Sequence, residues 1–367
     1  MTKKTTKNTT SSCPTVVGTG LVALDAVLSA DASIPVRYWA GGTCGNVLIA
    51  MRYLGWSAQP VARLGIGNST DLLLADFRRW RLSERFVRVE SDGSTPVIVE
   101  RIRMDANGHP RHSFSWRCTE CGAPFPGYKP ELATVAEEIA TKMKKAAVFF
   151  FDRLSAGALV LARAAAEAGA LVVFEPCSVG NPILFRQAWE VAHVVKYSHE
   201  RLSEFPEMDV ENSPRLVIET LGDAGLRYRR RKTGNRAGNW VELKSLLVDE
   251  LKDTAGAGDW CTAGLLSKVA TKGFAGFSAM SDEQILEAIR FGQALAAWNC
   301  RFEGARGGMY AMSKPQFKKQ VDEILSGNLK VIPASRIAST DTADSSSFCR
   351  VCEVAVTDIR RPTKRAR

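Results

Sequence analysis

The 367-residue chain contains no apolar run long enough to span a bilayer, and its Lys/Thr-rich beginning lacks the apolar core of a secretory signal. A membrane protein is therefore not expected, and the cytoplasm is the expected compartment. A recognisable nucleic-acid-binding motif is also missing. The formal net charge of +10 suggests such a partner until it is located: residues 1–12 carry Lys3, Lys4 and Lys7, and residues 331–367 carry seven basic against four acidic side chains. The ends thus supply +6 and the body only +4, so a nucleic-acid partner is not expected.

Nine cysteines, an odd number, do not make a disulfide framework in a chain of this length. Cys13, Cys44, Cys177, Cys261 and Cys300 are scattered among apolar or small residues and read as small core side chains. The other four form two C-x-x-C pairs, Cys118/Cys121 and Cys349/Cys352, which is zinc-ligand spacing. A zinc site joining them is one expectation; a local site completed by His109 or His112, ligands from a partner chain, and free thiols are the others.

What is abundant is apolar content, 45% of the chain, enough for one large core or one core with a small appended unit. Within it lies Asp253-Thr254-Ala255-Gly256-Ala257-Gly258-Asp259, running into the helix-forming Trp260–Leu266. Glycines around an alanine let backbone N–H groups converge, and the following helix adds its positive end, which together make an anion cradle. Asp259 stands where a carboxylate can take a proton from a hydroxyl. As a bare pattern the stretch also fits a Gly-rich loop with an Asp at a helix start.

A second stretch, Gly41-Gly42-Thr43-Cys44-Gly45-Asn46, follows a short strand at Val36–Ala40 and precedes a helix expected over Val47–Leu54, stopped by Gly55. Here glycines permit close approach to a polyol, and the Asn46 amide can donate and accept, or serve only as the helix N-cap. These two stretches, about two hundred residues apart and in this order, resemble the signatures of the ribokinase-type (PfkB) carbohydrate kinase family. The carboxyl-terminal signature, Asp-Thr-x-Gly-Ala-Gly-Asp, is matched in full. The resemblance covers roughly residues 13 to 325.

A strand expected at Gln59–Leu64 and a helix at Thr70–Leu82 belong to an alternation that implies parallel βαβ units, and Thr95–Met104 with Arg111–Trp116 read as a β-hairpin. The resemblance implies an α/β fold, a doubly wound, mostly parallel sheet with a small β-sheet lid over the sugar, its segments at about 35–43 and 95–117. It implies ATP and Mg²⁺, with Asp259 as general base and the Gly256, Ala257 and Gly258 amides stabilising the transferring phosphoryl group. Asp25, expected just beyond a first strand around Val16-Val17-Gly18, would hold the acceptor together with Gly41, Gly42 and Asn46. Thr220, Gly222, Gly225, Thr254 and Gly304 would line the nucleotide site, and a monovalent cation such as K⁺ would sit near Asp253. The partners implied are a sugar or a nucleoside, with a homodimer through the lid as an option. A catalytically silent, sugar-sensing relative is the reading from another class.

Two family features are absent. No Asp-x-Asn-x-Arg follows Asp152, and Ser198 and Arg201 replace the ends of an Asn-x-x-Glu motif, leaving Glu200 as the magnesium candidate by neighbourhood. Asp152 and Glu175 fall just past strand ends, on the face where the site is expected; turn chemistry is the plain alternative for both and the preferred reading for Asp152. The basic run Arg227–Lys232 reads as a solvated hairpin tip. Residues 1–12 are expected to be a disordered basic segment, 13–330 the kinase domain, and 331–367 a flexible extension docked, if at all, by a metal.

Overall fold

The computed structural model describes residues 13–327, apart from 32, 105, 107–109, 120, 144, 203–213, 232–237 and 249. In chain order the elements are β1 (Thr15–Thr19), β2 (Ala23–Leu28), β3 (Arg37–Gly41), α1 (Gly42–Tyr53), β4 (Ser57–Gly65), α2 (Asn68–Arg79) and β5 (Phe86–Glu90). Next come β6 (Val97–Met104), β7 (Pro110–Ser115), α3 (Ala133–Lys142), β8 (Val148–Phe151), α4 (Ala156–Glu167), β9 (Leu171–Phe174), α5 (Pro182–Val191) and β10 (Val194–Ser198). The last are β11 (Leu216–Thr220), β12 (Leu226–Arg230), β13 (Val241–Leu243), α6 (Ala257–Val269), α7 (Gly273–Ser278), α8 (Asp282–Asn299), α9 (Gly307–Ala311) and α10 (Lys314–Ser326).

Short apolar runs such as Val148–Phe151 and Leu171–Phe174 are buried along their whole length, as strands covered on both faces must be. They join a nine-stranded sheet in the order β13-β12-β11-β10-β9-β8-β1-β4-β5, parallel from β11 to β5 and antiparallel at β12 and β13. Alternation sorts the side chains: Val16, Phe150 and Val173 enter the core shared with α1, α6 and α8, and Val17, Phe149 and Val172 enter the one shared with α3, α4 and α5. The chain steps one way from β1 to β4 and the other way from β8 to β9. That reversal between β1 and β8 is where open α/β sheets form a ligand crevice at their carboxyl ends. This is the doubly wound architecture expected from the alternation of elements.

A separate four-stranded sheet has the order β3-β2-β6-β7. Its hairpin β6–β7 falls where the sequence suggests one, but β2 was not anticipated as a strand. Residues 23–28 pair with β3 and with β6, so Asp25 lies inside the small sheet, opposite Trp39 and Ile98, rather than just beyond the first strand of the large one. The helix expected from Val47 begins at Gly42, with the extended Gly41 at its N-cap. Asn46 is therefore in the first helical turns and is no cap. The run Arg227–Arg230 is not a hairpin tip: it forms β12, paired with β11. Arg227 bonds to Glu219, Arg227 and Arg229 lie against the Trp240 ring, and Arg230 bonds to Asp282. Among the described residues no helix is long and apolar enough to cross a membrane.

Candidate active site

The loop ahead of α6 is tied down on all sides. Asp253 accepts from the N–H of Ala255 (3.0 Å) and of Gly304 (2.7 Å), Asn299 Nδ2 donates to the Ala255 carbonyl (2.9 Å), and Trp260 Nε1 donates to the Ala305 carbonyl (3.1 Å). Gly256 has φ +70, and a Cβ there would stand 2.3 Å from the Ala305 carbonyl oxygen, so both the conformation and the space require glycine. No side chain caps α6. The Ala257 N–H donates to the Thr254 carbonyl at 3.2 Å, and no side chain takes the N–H groups that follow it at the positive end of this 13-residue helix.

Asp259 sits in the first turn of that helix. Asn46 Nδ2, from α1, donates to its Oδ2 at 2.8 Å. Burial pushes the Asp259 carboxyl up to about 8, and the nearby Glu175 adds to this; the Asn46 hydrogen bond, Lys196 and Arg201 pull the other way. Beside it, Lys196 on β10 reaches Glu175 Oε1 (2.7 Å), and Thr262 on α6 donates to Glu175 Oε2 (2.6 Å). Lys196, buried, and Glu175, partly buried, thereby form an ion pair under the start of α6.

Asp25 is 7 % exposed, and its Oδ1 is buried with no hydrogen-bond partner. The carboxyl packs on the Gly41-Gly42 backbone so closely that a Cβ on Gly41 would stand 1.8 Å from Oδ2. Burial raises Asp25 to about 7, opposed by Arg306 and a hydrogen bond from the Gly42 backbone. Gly41, Gly42 and Asp25 are thus one unit. Asp152, in contrast, is buried, accepts from the Leu21 N–H at 2.9 Å and pairs with Arg153; the first is a contact across 131 positions rather than the local turn chemistry expected of it.

The small sheet meets this loop directly. His112 Nδ1 on β7 lies 3.1 Å from both Asp253 Oδ1 and Thr254 Oγ1. Burial first, then the neighbouring Asp253, hold Glu100 on β6 well above the usual carboxylate range. Gly304, φ +80, lies under Trp39 of β3, whose ring stacks on Tyr310 at 4.4 Å. Thr220 ends β11, and Gly222 and Gly225, both at positive φ, bracket the turn to β12. Glu175, Ser198 and Thr220 follow or end the parallel β9, β10 and β11, so they share one edge of the sheet.

Cys118 is buried and Cys121 exposed, on a turn closed by Gly122 N–H to Cys118 O (3.0 Å) and Cys118 N–H to Ala123 O (2.9 Å). Cys349 and Cys352 lie outside the described residues. Among the described residues no group of three or more His, Cys, Asp or Glu side chains is placed to hold a metal ion.

Sequence reasoning missed Arg306, Asp76, Lys196 and Thr262. The signal for Lys196 is a lone cation in the apolar strand Val194–Ser198; for Arg306 it is a single cation among small residues, Gly304-Ala305 and Gly307-Gly308. Asp76 is one more polar residue in an amphipathic helix and carries no signal.

The class defined by this architecture is the ribokinase-like α/β fold: the structure of ribokinase from Giardia lamblia superposes with a TM-score of 0.63 at 19% identity, covering 84% of this chain and 99% of that one. A Burkholderia thailandensis nucleoside kinase in complex with ADP-inosine gives 0.58 at 19% identity, covering 89% and 100%. In sequence, residues 182–311 match the family model described as pfkB family carbohydrate kinase. A probable fructokinase-6, chloroplastic, of Arabidopsis thaliana is 26% identical over 297 residues, 72% of this chain and 70% of that protein. The chain therefore resembles the PfkB carbohydrate kinases in fold and in sequence, as its two signatures lead one to expect.

Proposed function

We propose that the chain is an ATP-dependent kinase that phosphorylates a hydroxyl of a sugar, with Asp259 as the general base. The observation that carries this reading is the placement of the Asp259 carboxylate in the first turn of an uncapped helix, within 2.8 Å of an amide from the other signature. Asp259 takes the proton of the attacking hydroxyl, and the amides at Gly256, Ala257 and Gly258 receive charge on the phosphoryl group in transit. Asp25, with a buried oxygen awaiting a donor, accepts from a neighbouring hydroxyl of the acceptor, alongside Gly41 and Gly42. Thr220, Gly222, Gly225, Thr254 and Gly304 are assigned to the nucleotide side. The small sheet acts as a lid that excludes water from the transfer.

Magnesium enters on the nucleotide and needs few protein ligands, which suits a site without a ready-made acidic cluster. Glu200, just past β10, is the carboxylate assigned to it. When bound, the ion neutralises charge on the nucleotide phosphates.

Charge decides between classes of acceptor. The carboxyls of Asp25, Asp76, Asp259 and Glu175 outnumber the cations Arg306 and Lys196, which already pair with Asp76 and Glu175. A neutral polyol fits such a wall, whereas a sugar acid or sugar phosphate brings a charge that neither of these paired cations is free to meet. A nucleoside, also neutral, is the second reading, supported by the likeness of fold to the nucleoside kinase. A silent, sugar-sensing relative would use the Asp25 oxygen too, but it has no use for the Asp259 carboxylate at an uncapped helix start. ADP release from ATP, measured against a panel of neutral sugars, sugar acids and nucleosides, tests all three; no release with any of them overturns the proposal.

A further inference from the structure

Arg306, at the start of α9, is 1 % exposed. Its Nε donates to Asn46 Oδ1 at 3.0 Å, and its Nη2 donates to Asp76 Oδ2 at 2.9 Å and to the Ala40 carbonyl. Asp76, on α2, is held in turn by the Ala40 N–H and by the Tyr310 hydroxyl. Arg306 Nη1 is buried with no hydrogen-bond partner. Desolvating a guanidinium and leaving one nitrogen unsatisfied costs stability, so packing alone does not account for the residue.

A side-chain amide has a donor end and an acceptor end, and the environment fixes which way it points. With Arg306 donating to Oδ1, the Asn46 NH₂ is directed at Asp259, 2.8 Å away. The flipped amide would set NH₂ against a guanidinium and a carbonyl oxygen against a carboxylate, two repulsive contacts. Asp259 Oδ2 is consequently occupied by a donor, and Oδ1 carries no hydrogen bond among the described residues.

We propose that Arg306, locked by Asp76, is a positioning residue that fixes the Asn46 amide as a donor to Asp259 and so reserves the other carboxylate oxygen for the acceptor's proton. This rests on Asp259 being the base. The charged and titratable groups facing Asp259 are Glu175 past β9, Lys196 on β10, Arg201 beyond it and Cys44 on α1, so Asn46 is the contact through which Arg306 acts. A donor to the carboxylate favours its ionised form; losing that donor raises the pH at which the base loses its proton.

The test uses Arg306→Met combined with Asp76→Asn, which removes the buried cation without stranding its anion, and Arg306→Lys, which keeps the charge but cannot bond both Asn46 and Asp76 at the same geometry. The Asp259 carboxyl is followed by NMR in ¹³C-aspartate-labelled protein, its signal assigned by comparison with Asp259→Asn. The titration midpoint is expected to rise by about one unit, a tenfold change in protonation, in the double variant and in the same direction in Arg306→Lys. The acid limb of kcat/KM should move with it, and in an Asn46→Ala background the Arg306 changes should cost little more. An unmoved titration in a folded variant, or fully additive losses with Asn46→Ala, overturns the proposal. The NMR titration needs no substrate, so a failed acceptor panel would sink the kinase reading and leave this result to stand or fall separately.

Discussion

Asn46 and Asp259, 213 positions apart, share a hydrogen bond of 2.8 Å in which the amide donates to the carboxylate. The first follows the glycine pair that makes room for Asp25, and the second follows the glycines of the anion cradle, so this contact joins the proposed acceptor side to the phosphoryl side. Changing Asp259 to Asn removes the proton acceptor while leaving the helix start intact. Asp259→Asn is expected to fold and bind ATP, seen by calorimetry, yet to lose turnover by about a thousandfold or more in an ADP-release assay. Near-normal turnover would show that another group takes the proton.

The same carboxyl sets a pH dependence. Its folded value, pushed up to about 8 by burial, lies above the usual 3.8, so the ligand-free protein binds this proton more tightly than the unfolded chain does. The stability it contributes is present below the unfolded value and is lost as pH rises through about 8. Asp25, raised to about 7, and Asp152, raised to about 6, act in the same direction at lower pH. Thermal melting of the ligand-free protein should therefore drop between about pH 4 and 8, and less steeply in Asp259→Asn. Activity runs oppositely, since the base works ionised: kcat/KM should rise over the same range. A flat melting profile, or a variant as steep as the parent, would contradict the assigned burial.

Much of this was legible in advance because both signatures are local patterns, with glycines needed wherever a backbone must come close. The alternation of apolar runs likewise exposes the parallel sheet. What was hidden depends on distant partners. Residues 23–28 read as a loop to Asp25 because their pairing strands, β3 and β6, lie elsewhere in the chain. The run Arg227–Arg230 looked like a solvated tip because its charge masks the β11 register and the Trp240 ring that the arginines cover. Arg306 and Asp76 are 230 positions apart, a pairing that no spacing reveals.

Asp25 offers a cleaner separation of the two ligands. Its buried, unpartnered oxygen faces Gly41 and Gly42 rather than the residues assigned to the nucleotide. Asp25→Ala is expected to raise KM for the acceptor roughly 10- to 100-fold, the loss of one or two hydrogen bonds to a charged group, with KM for ATP changed little. Equal losses for both ligands would move the acceptor site away from β2.

The turn at Cys118–Gly122 supports a final prediction, on a zinc ion. Gly122, φ +71, closes the turn back onto Cys118, placing two sulfur-bearing residues three apart on a short loop stiffened by the Arg117–Pro124 bridge. Two thiolates supply half of a tetrahedral zinc shell, and Cys349/Cys352 is the only other C-x-x-C pair in the sequence. We propose that the four cysteines bind one zinc ion together. Metal analysis of purified protein should find about one zinc per chain, and Cys349→Ser with Cys352→Ser should abolish it and speed proteolysis of the chain beyond residue 327. Binding would also release protons as the thiols ionise, so zinc uptake should weaken as pH falls. Protein purified without chelator that holds no zinc, or zinc retained in the double variant, would rule out the four-cysteine site; in the second case, His112 and its neighbours on the small sheet become the ligands to test next.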